Sequence, residues 1–301
     1  MSLLVTGSIG IDTVSSPHGQ AAKVLGGSAV YFSLAAAYYV PVRLVGVVGD
    51  DFPEVHRRML STRPIDLTGL EVRRGSKTFR WTGRFVGDMN EAETVAVDLN
   101  VLAERGPTVP DSFRDSEFVF LANTHPTLQR ELLSQLSRPK LVVCDTMNLW
   151  ITKERDSLLE TLGRVHGVIL NDGEARLLTG KTNLVEAAES ILGLGPRFVM
   201  VKKGEHGSLL ASREGVASLP ALPAKIVRDP TGAGDSFAGG VMGYLCRAGR
   251  WDVEALKSAA VRGTVAASFT IEDFSVRRIE RLEMDEVERR VERFKQMLHV
   301  E

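Results

Sequence analysis

Short, uninterrupted apolar runs recur along the chain. They stand at residues 3–9 (LLVTGSI), 42–48 (VRLVGVV), 117–121 (EFVFL), 140–145 (KLVVCD), 167–170 (GVIL) and 197–202 (RFVMVK). Their length suits strands, and their lack of polar alternation predicts strands buried on both faces. Between them the apolar positions adopt helical spacing, at 28–40, 127–136, 153–163 and 183–193. Strand and helix alternating in this way predict a mostly parallel sheet covered by helices on both sides. An amphipathic helix is predicted over 285–299, with Val287, Val291, Phe294 and Leu298 on one stripe.

Two regions break this rhythm. Residues 11–24 are polar around SSPHG, and residues 67–98 alternate in TFRWTGRFV and ETVAVDL on either side of GDMNEA. Period-two patterning with turn residues between predicts antiparallel strands. Together the two regions read as one small β lid on the α/β body; the alternative is an edge extension of the main sheet. No internal repeat or low-complexity tract divides the chain, so residues 1–301 read as one domain with lid segments at about 11–24 and 67–98. The exposed edges of such a lid predict pairing in a homodimer.

Composition narrows the class. The 301 residues are 44% apolar and 25% charged, the balance of an ordinary soluble globular protein. With 37 basic and 38 acidic residues the net charge is −1, which argues against nucleic-acid binding by bulk electrostatics. No apolar run reaches the roughly 18 residues of a membrane span, and MSLLVTGSIGID lacks the basic start of a signal peptide. A cytoplasmic location is the expectation. Cys144 and Cys246 lie far apart in apolar company, as buried thiols rather than a disulfide framework.

The candidate chemistry concentrates in DPTGAGDSF, Asp229 to Phe237. A short strand is predicted at Lys225–Val227 and a helix over Ser236–Ala248, which places Gly232, Ala233 and Gly234 at a strand-to-helix turn. The free N–H groups and positive dipole of a helix start make an anion site there. Asp235 sets a carboxylate beside it, able to take a proton from a hydroxyl. An anion pocket with an adjacent base is what phosphoryl transfer to an alcohol requires. No G-x-x-x-x-G-K-[ST] loop, no G-x-S-x-G elbow and no zinc-type histidine spacing occurs. Three further clusters follow predicted strands: Asp12 with Gly26, Gly27 and Ser28; NDGE, with Asn171 and Glu174 three apart; and KKGEHG, with Lys202, Gly204 and Gly207. Helix capping is the plain alternative for Asn171 and Glu174, and a turn residue is the plain reading of His206.

The string from Asp229 to Phe237 resembles the signature of the ribokinase-like (PfkB) carbohydrate kinases. The other clusters stand in that family's order, as early Asp and Gly-Gly, N-x-x-E and K-x-G-x-x-G, over roughly residues 3–298. The resemblance implies a three-layer α/β/α domain with a mostly parallel central sheet and a β lid. It implies ATP and Mg²⁺, with Asp235 as general base and the 232–234 backbone as anion hole. It implies that Asp12, Gly26, Gly27 and Ser28 hold substrate hydroxyls, although Ser28 stands where Asn is usual. Asn171 and Glu174 would position Mg²⁺ and phosphates, Glu174 through water. Lys202, Gly204, Gly207 and Thr231 would lie along the nucleotide. Asp229 either holds a monovalent cation such as K⁺ or fixes the turn.

The acceptor implied is a sugar or sugar-like molecule. A nucleoside kinase of the same fold is the nearest alternative, favoured by an aromatic pocket from Phe79, Trp81 or Phe85. The two-part lid counts against a vitamin-type kinase, and intact Asp235 and Glu174 count against a regulator without turnover. Arg80 and Arg84 on the lid could meet a phosphate or simply face solvent. Asn123, His125, Asp145 and Asn148 follow strand ends and are candidates for acceptor recognition.

Overall fold

A computed structural model describes residues 1–299. Its strands are β1 (Leu3–Thr6), β2 (Gly10–Ser16), β3 (Gly19–Gly26), β4 (Val42–Gly49), β5 (Ile65–Arg73), β6 (Phe79–Phe85), β7 (Ala92–Asp98), β8 (Phe118–Leu121), β9 (Leu141–Cys144), β10 (Gly167–Asn171), β11 (Phe198–Lys202), β12 (Ser208–Ser212) and β13 (Gly215–Leu219). Nine of them form one sheet in the order β13-β12-β11-β10-β9-β8-β1-β4-β5. Pairing is parallel from β11 to β5, and β12 and β13 add an antiparallel hairpin at one edge. The other four form the lid sheet, in the order β3-β2-β6-β7.

The apolar runs explain the layers directly. Alternate residues of one strand feed different cores, because successive side chains point to opposite faces. Leu3, Val5, Phe118, Phe120, Leu141, Val143, Ile169, Phe198 and Met200 join one cluster. Leu4, Val119, Leu121, Val142, Cys144, Val168, Leu170, Val199 and Val201 join the other. The first face is covered by helices Ser28–Ala36, Ala233–Ala248, Val253–Thr270 and Met284–Leu298, and Phe32 stacks on Phe120 at 4.5 Å. The second is covered by Pro126–Ser134, Arg155–Leu162, Asp172–Thr179 and Leu184–Leu192. Cys144 and Cys246 are free and buried, and burial pushes both thiols up, so they stay protonated.

Three expectations change. Residues 67–73 are not lid: they belong to β5, at the edge of the large sheet. An edge strand covered on one side alternates as a lid strand does, and this misled the pattern. Within the lid, β2 and β6 pair in parallel while β2–β3 and β6–β7 are antiparallel hairpins. Both hairpins rise from the same end of the large sheet, one after β1 and one after β5, so their first strands run the same way. Lys225–Val227 forms no strand; it lies in a loop punctuated by Pro220, Pro223 and Pro230, where missing N–H groups and fixed φ oppose pairing.

The topology also locates the site. From β1 the chain builds outward through β4 and β5, then returns to place β8 on the other side of β1. Ligands in open α/β sheets collect at such a reversal, beyond the carboxyl ends of the strands.

Candidate active site

The first half of the site is built where β1 and β3 meet the helix Ser28–Ala36. Gly27 has φ +105°, and a Cβ there would stand 2.4 Å from the Ser8 carbonyl oxygen, so only glycine fits this turn. A Cβ on Gly26 would come within 1.8 Å of Asp12 Oδ2, so the carboxylate rests on bare backbone. Asp12 is 3% exposed and its Oδ1 has no hydrogen-bond partner. Burial, then the charges of Asp229 and Asp235, push its carboxyl up to about 7. The Ser28 hydroxyl is engaged within the fold. It accepts the Ser8 N–H at 3.1 Å, and the Ser28 N–H donates to Ser8 Oγ at 2.9 Å. This reciprocal staple fixes the helix start against the end of β1.

The second half is the turn before the helix Ala233–Ala248. Gly232 is left-handed at φ 75°, and its bare Cα lies on the Tyr31 ring, where a Cβ would be 2.2 Å from Cγ. The Ala233 N–H is turned back onto the Pro230 carbonyl at 3.1 Å. Among the described residues the Gly232, Gly234 and Asp235 N–H groups meet no acceptor, and no side chain caps the helix. The open donors are therefore at 232, 234 and 235 rather than at the expected 232–234. Asp229 anchors the turn: Oδ1 accepts the Thr231 N–H and Oδ2 the Ser275 N–H, both at 2.9 Å.

A charged cluster faces this turn. Among the described residues none donates a hydrogen bond to the Asp235 side chain; burial and then Asp145 push its carboxyl up to about 7, against the pull of Lys202. Glu174 is 7% exposed and is likewise pushed up to about 7, by burial and then by Asp145. Asn171 and Glu174 form a reciprocal capping box at 2.7 Å each way, which leaves Glu174 Oε1 free. Lys202 is not solvated: its side chain is 17% exposed, and Nζ lies 3.3 Å from Asp145 Oδ2. Burial works against its charge, but Asp145, Glu174 and Asp235 outweigh it and raise its pKa.

The structure thus brings together Asp12, Gly26, Gly27, Asn171, Glu174, Lys202, Asp229, Thr231 and the 232–235 turn. Gly204 opens and Gly207 closes a single 3₁₀ turn, Gly204–His206, after β11, in which His206 is exposed. Arg80 and Arg84 pair with Asp51 at 2.6 Å and Glu93 at 2.7 Å. His125 caps the helix Pro126–Ser134, and Asn123 Oδ1 accepts the Trp150 indole N–H at 2.9 Å. Asn148 is exposed at the start of a short helix.

Sequence reasoning misses two contributors and gives a third, Asp145, only as a candidate for acceptor recognition. Tyr31 is hidden in an apolar helix, and only its fully buried place under Gly232 reveals it. Asp145 followed a strand end but showed no partner until β9 and β11 were placed in one sheet. The lid turn Val86–Glu91 was read only as a turn. It reaches the far loops, with Asn90 Oδ1 2.9 Å from a Cβ built on Gly204 and Glu91 Oε1 3.9 Å from one on Gly173.

A three-layer fold, a lid over the strand ends and an open helix start beside an unpaired carboxylate define a phosphoryl-transfer site of the ribokinase-like class. Residues 5–281 match the pfkB family of carbohydrate kinases, and the chain belongs to that family. A cytidine kinase of Thermococcus kodakarensis is 32% identical over 251 residues, covering 81% of this chain and 88% of the relative. The solved nucleoside kinase of Burkholderia thailandensis, in complex with inosine, superposes with a TM-score of 0.77 at 20% identity, covering 97% and 98% of the two chains. The aminoimidazole riboside kinase of Salmonella enterica, with aminoimidazole riboside and an ATP analogue, gives 0.77 at 19% identity, covering 97% and 100%.

Proposed function

We propose that this kinase transfers the γ-phosphoryl group of ATP to a ribosyl hydroxyl of a nucleoside. The observation that carries the reading is one row across the lid. Neighbouring residues in register share a face, and Asp12 on β2 is level with Trp81 on β6, which is level with Val97 on β7. A hydroxyl-binding carboxylate, buried and with one oxygen unpartnered, therefore stands beside an indole ring and a valine. A ribose with a flat base attached matches that polar-then-aromatic order. Identity with a cytidine kinase supports the same acceptor class.

In the proposed mechanism Asp12 Oδ1 accepts a hydrogen bond from the acceptor sugar. Asp235 takes the proton of the reacting hydroxyl, whose oxygen forms the new bond to phosphorus as the bond to the ADP oxygen breaks. The Gly232, Gly234 and Asp235 N–H groups stabilise charge on the phosphoryl oxygens. Among the described residues no three carboxylate, His or Cys groups cluster as a metal cage. Mg²⁺ needs none, since it commonly binds through water, phosphates and one or two carboxylates. The free Glu174 Oε1 fits that role, and Mg²⁺ would neutralise phosphate charge there. Asp229 accepts two backbone N–H groups and serves as the turn's anchor.

A free sugar is the second reading, favoured by the 51% exposure of Val97, which leaves the shelf open on one side. ADP release measured with cytidine, inosine, adenosine, ribose, deoxyribose and fructose separates the two. At least one nucleoside should exceed every free sugar about tenfold in kcat/KM. A sugar leading by that margin would remove the nucleoside reading. The lid edge strand β7 is exposed along its length, which supports the homodimer proposed through the lid; sedimentation should then give twice 32.9 kDa.

A further inference from the structure

A buried ammonium group and a helix N-terminus are both positive and do not belong together without compensation. Lys202 nevertheless places Nζ 2.9 Å from the position a Cβ on Gly234 would occupy, in the first turn of the 16-residue helix Ala233–Ala248. Its register is fixed by β11, level with Asn171 on β10. Among the described residues the one carboxylate within ion-pair distance is Asp145, whose side chain is 6% exposed. Asp145 is itself clamped. Its Oδ1 accepts the Thr146 N–H at 2.8 Å, and its carbonyl accepts from Gln129 Nε2 at 3.1 Å. The same Gln129 nitrogen holds the Leu121 and Ala122 carbonyls, tying together the ends of β8 and β9. Asp145 makes no hydrogen bond to Glu174 or Asp235.

We propose that Asp145 is a positioning residue for phosphoryl transfer: it holds the Lys202 ammonium at the N-terminal turn of Ala233–Ala248, where the ammonium meets the oxygens of the transferring phosphoryl group. Asp145, Glu174 and Asp235 surround this lysine from three different elements. Without it the side chains of this cluster, Asp145, Glu174 and Asp235, would present carboxylates alone to a polyphosphate. A merely structural pair could sit anywhere in the core and is often replaceable by apolar residues. This one stands beside the open N–H groups of 232, 234 and 235. In the step itself the phosphorus–oxygen bond to ADP breaks, the bond to the acceptor oxygen forms and Asp235 receives the proton. Lys202 keeps its own proton throughout and follows the charge as it moves toward ADP.

The inference rests on the phosphoryl-transfer reading of this site, and a kinetic double-mutant cycle tests it. Asp145→Asn should lower kcat about 100-fold, the scale of losing one placed electrostatic donor, and leave the KM of the acceptor within about threefold. Lys202→Met should lower kcat at least as far. The double variant should be no slower than Lys202→Met alone, because Asp145 acts through the lysine. Losses that multiply, or an Asp145→Asn enzyme within about threefold of wild type, overturn the proposal. The double variant also removes both buried charges and serves as the folding control. Should Asp145→Asn alone fail to fold, the wild type with ADP, Mg²⁺ and a planar metal fluoride decides. Lys202 Nζ should then bridge Asp145 and the fluoride, and an ammonium turned away from the fluoride overturns the assignment. Either failure leaves wild-type turnover and the loss in Asp235→Asn untouched, so it is distinct from failure of the kinase reading.

Discussion

Replacing Asp235 by Asn removes the proposed base and keeps its shape. The carboxyl is pushed up to about 7 by burial and by Asp145. It is therefore about nine-tenths ionised at pH 8 and about one-tenth at pH 6, so wild-type turnover should fall roughly tenfold between them. Asp12 and Glu174 are also pushed up to about 7, so this limb belongs to the cluster and not to one residue. At pH 8 a general base contributes ~10²–10⁴-fold, or about 3–5 kcal/mol of barrier at 1.36 per decade. Asp235→Asn should lose that much in kcat. Nucleotide affinity should hold or improve, because one negative charge leaves the pocket. Coupled ADP-release kinetics across pH 5.5–9, with ATP-analogue binding measured separately, supply both readouts. More than about a tenth of wild-type turnover in this variant would refute Asp235 as base.

Gly232→Ala forces a Cβ to within 2.2 Å of the Tyr31 ring at φ 75°; it should cost at least ~1–3 kcal/mol in urea unfolding and abolish turnover, and a neutral effect would mean the turn is not packed as described. Asp12 stays protonated in the fold to about pH 7 but ionises near 3.8 when unfolded, so the folded state binds the extra proton between those values. Its contribution to stability is therefore lost as pH rises through that window and stays lost above it. Asp12→Asn should raise ligand-free stability at pH 8 by about 2 kcal/mol, a nominal value halved because its neighbours titrate with it, while weakening acceptor binding. A melting point at pH 8 unchanged from wild type would contradict this. Trp81→Ala should raise KM for a nucleoside about tenfold and leave KM for ATP unchanged; equal shifts in both would argue against the lid shelf.

The layers were legible because strands buried on both faces cannot alternate, and runs such as FVFL and LVVC declare that. The lid boundary was not, since β5 at a sheet edge alternates as a lid strand does. Asp235, Glu174 and Asp12 could be found because motif glycines mark their turns. Tyr31 could not, and Asp145 stood only as a strand-end candidate for acceptor recognition: their roles depend on which strand or helix lies beside them, and neighbours distant in sequence leave no local pattern. Ser28 and Ala233 show the converse. Position placed them in the site, but their hydrogen bonds go to Ser8 and Pro230.

The most direct test of the central claim is the identity of the product. The protein, ATP, Mg²⁺ and cytidine or inosine would be incubated and resolved by mass spectrometry. A nucleoside monophosphate formed one for one with ADP is the predicted result. ADP with free phosphate and no phosphorylated nucleoside, or a sugar phosphate formed from a free sugar while nucleosides stay untouched, would contradict it.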